Sequence, residues 1–272
     1  MGKIDKEKVR RSFDSQAEFY EETVVVQKLV REYLLGQLRE NGSGDPPQRI
    51  LDVGAGTGVL LSGIRNLYPA SFLAGLDLAP AMGRTALGAL CGEGGTLLVE
   101  GDAECLPFVE GAFDLVVSTS TFQWLNTLEK AFCEAFRVLS PGGSFHFALF
   151  GGDTLRELRN SYKSALKIPD REGVDRTHRF FSLFDVESAL KTAGFSVCRL
   201  EKSIEVEYHA DVQALLRALR RIGAGNASRF TQGGLGGKRV MTEMMEIYRT
   251  DHGCRHGIPA TYEVLYGLGR KL

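Results

Sequence analysis

Three acidic residues and a run of glycines are the parts of this chain whose types and spacing suit chemistry. The run is Leu51-Asp-Val-Gly-Ala-Gly-Thr-Gly58, reached at the end of a short apolar segment, Arg49–Val53. Gly54, Gly56 and Gly58 let the backbone turn tightly and, with Ala55, approach a ligand with little side chain in the way. A dinucleotide site would read GxGxxG, with its pyrophosphate on the helix N-terminus. Counting from Gly54, the sixth residue is Val59, so the spacing here is GxGxG. Asp52 stands two residues before the first glycine. It is awkward beside a pyrophosphate and suits an ammonium group, directly or through water. Asp77 closes the next apolar run and can accept two hydrogen bonds from a ribose diol. Asp102, in Gly101-Asp-Ala-Glu104 after a third run, is placed to accept from an adenine amino group. Leu78, Met82, Ala103 and Leu106 supply apolar walls for the ring. Either acid alone reads equally well as a cap of a helix or turn. Together, at successive strand ends behind this loop, they read as a site. A ligand with an aminoacyl end, a ribose and an adenine fits it, and S-adenosylmethionine is that ligand.

Such a site needs strands that end in acids and helices that begin at glycines. Five short apolar runs read as strands: Arg49–Val53, Ser71–Asp77, Thr96–Glu100, Phe113–Ser118 and Ser144–Phe150. Between them lie helical patterns at Thr57–Leu67, from Pro80 to about Leu90, and at Leu128–Val138, the last ended by a Ser140-Pro-Gly-Gly143 turn. Alternating strands and helices imply an α/β fold with a mostly parallel sheet. Residues 1–40 read as helix, with Val9, Phe13, Ala17 and Tyr20 on one stripe and a second amphipathic stretch through Val26, Leu29, Val30, Tyr33, Leu34 and Leu38, and Asn41–Pro47 reads as a linker. After residue 150, helices are expected at Thr154–Leu166, Leu183–Ala193 with Gly194 as cap, Val212–Ile222 and Arg239–Tyr248. Ser196–Tyr208 and Thr261–Gly269 read as strands, and 167–180 and 223–237 as loops.

Composition narrows the class. The chain has 272 residues, 43% hydrophobic and 25% charged, which is a globular balance and not a disordered or fibrous one. Lys and Arg number 33 against 34 Asp and Glu, a net charge of −1 that makes no case for nucleic acid as a partner. No apolar run approaches the length of a membrane span, and the charged N-terminus does not read as a secretory signal. The five cysteines show no CxxC and no zinc-ligand spacing. They are expected to be reduced thiols in a cytoplasmic protein, and no metal is expected.

Residues 49–150 resemble the class I, Rossmann-like, S-adenosylmethionine-dependent methyltransferases, in the glycine loop, the acidic strand ends, the Asp114 strand and the Pro-Gly-Gly turn. Over nearly its full length the chain resembles the malonyl-acyl-carrier-protein O-methyltransferases of biotin synthesis. The segments that carry this are Phe13-x-x-x-Ala17-x-x-Tyr20, Thr121-Phe-Gln-Trp-Leu125, Phe150–Leu158, Arg179-Phe180, Leu219–Ala224 and Thr261-Tyr262. The Gly-Gly-Leu-Gly-Gly at 233–237 matches no family pattern.

The resemblance implies a seven-stranded, mostly parallel sheet in one domain over 1–272. Residues 1–45 would form a helical cover and 48–150 the cofactor-binding core. Residues 151–182 and 209–258 would be helical insertions and a lid on the acceptor side, with 183–208 and 259–272 completing the sheet. The implied reaction methylates the free carboxylate of a malonyl thioester on an acidic acyl carrier protein, through phosphopantetheine, or on coenzyme A. S-adenosylhomocysteine is the other product. That carboxylate is already ionised near neutral pH, so no general base is expected. Tyr20 would reach the cofactor, or be a core aromatic. Ser118 ends the fourth strand beside the reactive methyl. Gln123 and Trp124 would position the acceptor, although Trp124 serves equally as core. Arg179 and Arg220 are the candidate clamps for the carboxylate, because an arginine fork holds it without consuming it. Each reads otherwise as a solvated arginine or a partner of an acid such as Asp185. His178, beside Arg179, is a lesser candidate to face the acceptor. Arg217, Arg220 and Arg221 share one side of a basic helix that suits an acidic carrier or simply faces water. Two other readings stay open. One is a small-molecule methyltransferase acting on a quinone carbon or a small carboxylic acid. The other is a regulator that binds S-adenosylmethionine without catalysis.

Overall fold

The computed structural model describes residues 4–40, 45–90, 95–168, 177–224 and 235–272. One seven-stranded sheet organises them: β1 (Arg49–Val53), β2 (Phe72–Asp77), β3 (Thr96–Glu100), β4 (Phe113–Thr119), β5 (Leu139–Phe150), β6 (Ser196–His209) and β7 (Ile258–Arg270). Their order is β3-β2-β1-β4-β5-β7-β6. Strands β1 to β5 pair in parallel, and β7 runs antiparallel to both β5 and β6. The chain leaves β1 towards β2 on one side and returns to β4 on the other, so the carboxyl ends of β1 and β4 flank the crevice of a doubly wound sheet. The glycine loop sits in that crevice.

The central strands are apolar on both faces because helices cover both. Leu51, Val116 and Phe145 join Phe122, Phe132 and Phe147 in the largest buried cluster. The rings of Phe132 and Phe145 meet edge-on at 5.2 Å, a favoured aromatic arrangement. Helices α4 (Val59–Leu67), α5 (Pro80–Ala89) and α6 (Leu128–Val138) are the crossovers. Pro80 opens α5, where a missing N–H costs nothing. Helix α4 begins two residues later than the sequence pattern suggests, because Gly58 takes a left-handed conformation at its N-cap.

The N-terminal stripe is not one helix. It divides into α1 (Lys6–Asp14) and α2 (Tyr20–Thr23), while the second amphipathic stretch forms α3 (Val26–Glu40) as expected. At the first break the Ser15 hydroxyl donates to the Ser12 carbonyl at 2.8 Å, an alternative to continued helix. The expected Ser140–Gly143 turn is instead the start of β5. The β4–β5 register shifts between Phe113 and Leu115, and Gly142, at φ 81, donates its N–H to the Lys271 carbonyl. A β-bulge thus absorbs the proline and glycines within the strand.

Helices α7 (Arg156–Leu166), α8 (Leu183–Ala193), α9 (Val212–Arg221) and α10 (Leu235–His252) follow. Gly194 ends α8 in the left-handed region, as expected. Helices α7, α9 and α10 pack with β7 in a second buried cluster that includes Tyr162, Leu215 and Tyr248. The expected loops over 167–180 and 223–237 lie mostly outside the described residues. Among the described residues no helix is long and apolar enough to cross a membrane.

Candidate active site

Two adjoining cavities open at the carboxyl ends of β1, β2 and β4. The larger encloses about 990 Å³, counting its mouth, and the smaller about 440 Å³. They share Phe13, Tyr20, Gln27, Ser120 and Trp124. The first three come from the N-terminal helices, which roof both chambers.

The glycine loop forms the floor of the larger cavity. Gly54 and Ala55 donate their N–H groups to the Leu76 carbonyl at 2.7 and 2.9 Å. Gly54 has φ 79, and a Cβ there would collide with the Thr121 side chain, so glycine is required on both counts. Asp77 ties the loop to β2: its carboxylate accepts from the Gly56 N–H and the Ala79 N–H, each at 2.8 Å. Burial raises the Asp77 pKa, while these two N–H bonds oppose the rise.

Asp52 has no such relief. It is 1% exposed, and neither carboxylate oxygen has a hydrogen-bond partner in the structure. Burial, then the charge of Asp77, pushes its pKa up to about 8. A buried carboxylate without a donor is costly unless a cation reaches it. The ammonium of an aminoacyl ligand is such a cation, and the cavity has room for one. Arg31, Glu21 and Thr57 line the same cavity. Glu21 accepts from the Thr57 hydroxyl at 2.6 Å and from Arg31 at 3.2 Å. At the far end, Asp102 accepts from the Glu104 N–H at 2.9 Å and pairs with Lys6 of α1 at 2.5 Å. Lys6 also pairs with Glu104.

Of the residues singled out in the sequence, Tyr20, Asp52, Gly54, Ala55, Gly56, Asp77, Leu78, Met82, Asp102 and Ala103 line the larger cavity. Four expectations need correction. Gly58 lines neither cavity; a Cβ there would lie 2.9 Å from that of Ala86, so it serves helix packing. Ser118 is fully buried within the sheet, and its hydroxyl donates to the Val53 carbonyl at 2.7 Å. Arg179 and Arg220 are exposed and line neither cavity. Leu106 packs in the core instead of the ring wall.

Gln123 and Trp124 do line the smaller cavity, with Phe150, Phe180 and Leu219 among its apolar walls. Gln123 is 2% exposed; its Nε2 donates to the Ser120 carbonyl at 2.7 Å, and its Oε1 is left without a partner. His178 stands behind this wall and does not face the acceptor space. Its Nε2 donates to the Gln123 carbonyl at 2.8 Å, and its ring packs on Trp124 at 5.0 Å. Burial pushes its pKa down to about 4, so it is neutral at physiological pH. Sequence reasoning missed Lys6, Gln27, Arg31 and Ser120. The first three lie on helices far in sequence from the glycine loop, and no spacing signal links them to it.

A family model described as a methyltransferase domain matches residues 51–147. A solved putative methyltransferase from Bacillus halodurans is 18% identical, with TM-score 0.61, covering 87% of this chain and 98% of that one. The sheet order with its reversed β7, and an unpartnered acid beneath a glycine loop, define a class I S-adenosylmethionine-dependent methyltransferase. Among curated relatives, the malonyl-[acyl-carrier protein] O-methyltransferase of Geobacter sulfurreducens is 50% identical, covering 98% of this chain and 100% of that one. The one from Methylovorus sp. is 36% identical, covering 97% and 88%. The chain belongs to the malonyl-[acyl-carrier protein] O-methyltransferase family.

Proposed function

We propose that this enzyme methylates the free carboxylate of malonyl-acyl-carrier protein, with the cofactor in the larger cavity and the malonyl end in the smaller. The observation that carries this reading is the wall the two cavities share, which brings an acceptor oxygen and a cofactor methyl to one junction. Bound S-adenosylmethionine would supply an electrophilic methyl that an ionised carboxylate can take directly, O–CH3 forming as S–CH3 breaks with its electron pair left on sulfur as S-adenosylhomocysteine, and no proton would need to move.

The chain's part is to bind, orient and exclude water. Asp52 would receive the ammonium of the cofactor's aminoacyl end, and Arg31 its carboxylate. Asp77, already fixed by two backbone N–H groups, keeps free lone pairs for the ribose diol. Asp102 would take the adenine amino group, with Leu78, Met82 and Ala103 against the ring. Gln123 and Trp124 wall the acceptor. The N-terminal helices act as cover, and α7, α9 and α10 as the acceptor-side body of one catalytic unit.

The exposed arginines of α9, Arg217, Arg220 and Arg221, offer the carrier protein a cationic face. Their place is docking, not the clamp. The test is incubation of the purified chain with S-adenosylmethionine and malonyl-carrier protein, read by intact mass. One added methyl group, absent when acetyl-carrier protein is supplied, is the expected result. Tight cofactor binding with no gain on any malonyl thioester would overturn the reading.

A further inference from the structure

The smaller cavity is lined by no charged side chain among the described residues. Its polar lining comes from Tyr20, Gln27, Ser120, Gln123, Thr154 and Tyr262. Two of these are committed elsewhere. The Thr154 hydroxyl donates to the Glu263 carbonyl at 3.1 Å, and the Gln123 amide nitrogen to Ser120. The Gln123 oxygen that remains is an acceptor and cannot hold an anion. The donors left over at the shared wall are the Ser120 hydroxyl, the Gln27 amide, the Tyr20 phenol and the Trp124 indole N–H, none of which has a side-chain hydrogen bond among the described residues.

Backbone strain marks the same place. Only two non-glycine residues among those described have positive φ, Ser120 at 56° and Leu155 at 53°, and both line the smaller cavity. Such conformations persist where the surroundings over-determine them, and they collect at ligand sites. At Ser120 the surroundings are visible: its N–H donates to the Ala148 carbonyl at 2.9 Å, and its carbonyl accepts from Gln123. The residue is held at the junction with its hydroxyl uncommitted.

We propose that the malonyl carboxylate is held at this junction by uncharged donors, the Ser120 hydroxyl and the Gln27 amide together with the Tyr20 phenol, and not by Arg179 or Arg220. The inference rests on the function proposed above. Its physical basis is that the transfer destroys charge. A carboxylate and a sulfonium approach, and an ester and a thioether leave. A cation on the carboxylate would stabilise the ground state more than the transition state, where that charge is fading. Neutral donors orient the oxygen and leave its lone pair reactive. Burial keeps the Tyr20 phenol well above its ordinary pKa, so it remains a donor.

The test uses the full chain, S-adenosylmethionine and malonyl-pantetheine, which lacks a carrier surface. Cofactor affinity by calorimetry checks that each variant is folded. Ser120→Ala and Gln27→Leu should each lower kcat/KM at least tenfold, with cofactor Kd within about threefold of wild type. Gln27→Glu, of the same shape, should lose more than Gln27→Leu because it sets a like charge against the acceptor. Ser120→Asn, which tolerates positive φ and restores a donor, should recover part of the loss. Arg179→Ala should stay within about twofold of wild type. Wild-type turnover in all Ser120 and Gln27 variants, or loss of turnover in Arg179→Ala with its cofactor affinity intact, would overturn the uncharged clamp alone. A wild-type chain that methylates neither malonyl-pantetheine nor malonyl-carrier protein would bring down the proposed function, and the clamp with it.

Discussion

Asp52 carries an energetic burden that a ligand can lift. Burial and the facing Asp77 push its pKa to about 8, so the folded, ligand-free protein prefers it protonated. In the unfolded chain the same acid ionises near pH 4. The folded state therefore binds more protons between those values, and its stability declines as pH rises from about 4 to about 8. Thermal melts of ligand-free protein across that range should show this decline, and Asp52→Asn should remove part of it while raising Tm at neutral pH. The same variant should weaken S-adenosylmethionine binding at least tenfold, about 1.4 kcal/mol, by calorimetry. Binding at pH 7 should also release protons, seen as heats that vary with buffer ionisation enthalpy, because the ammonium favours the ionised carboxylate. Residues of this kind are legible without a structure, since a carboxylate two residues before GxGxG suits little except a cation held at that turn. Ser118 and Ser120 show the limit. Both are serines at one strand end, but the hydroxyl of Ser118 is spent on the Val53 carbonyl while Ser120 reaches both cavities.

Among the elements, the turn after β4 has the sharpest demands. Ser120 occupies a left-handed conformation that costs a non-glycine residue about 1–2 kcal/mol. Ser120→Ala keeps that strain, whereas Ser120→Gly relieves it at some cost in unfolded-state entropy. The glycine variant should be the more stable of the two in urea unfolding, by up to about 1 kcal/mol, although both lack the hydroxyl and both should turn over slowly. Stability and activity would then part company at one position. Strands β1 to β4 and helices α6 and α8 were legible because a buried parallel strand and an amphipathic helix have distinct patterns. The break of the first N-terminal stripe into α1 and α2 was not, because it depends on the Ser12–Ser15 contact and on the surface it must roof. Arg179 and Arg220 stand in segments that carry the family resemblance, but such a likeness does not say which way a side chain faces. The fold turns both outward.

At the scale of the molecule, a net charge of −1 conceals a local excess on α9, where Arg217, Arg220 and Arg221 are exposed. Steering by such a patch weakens as salt shortens the reach of charge. Turnover of malonyl-carrier protein should therefore fall with added salt more steeply than turnover of malonyl-pantetheine. Replacing the three arginines with alanine should remove the difference in initial-rate assays. A mostly parallel sheet and its cofactor crevice were accessible from the chain's alternating pattern, whereas the strand order comes only from the structure. The roof was not, since it is assembled from contacts more than a hundred residues apart: Ile4 with Asn126, and Ser12 with the Gly223 carbonyl. That roof has a consequence for binding. Phe13 and Tyr20 wall both chambers, so an exchange of one reactant disturbs the seat of the other. The two seats are therefore coupled: filling either chamber should change the affinity with which the other is filled. Calorimetry with a malonyl thioester, in the presence and absence of S-adenosylhomocysteine, should record that coupling as a shift in Kd.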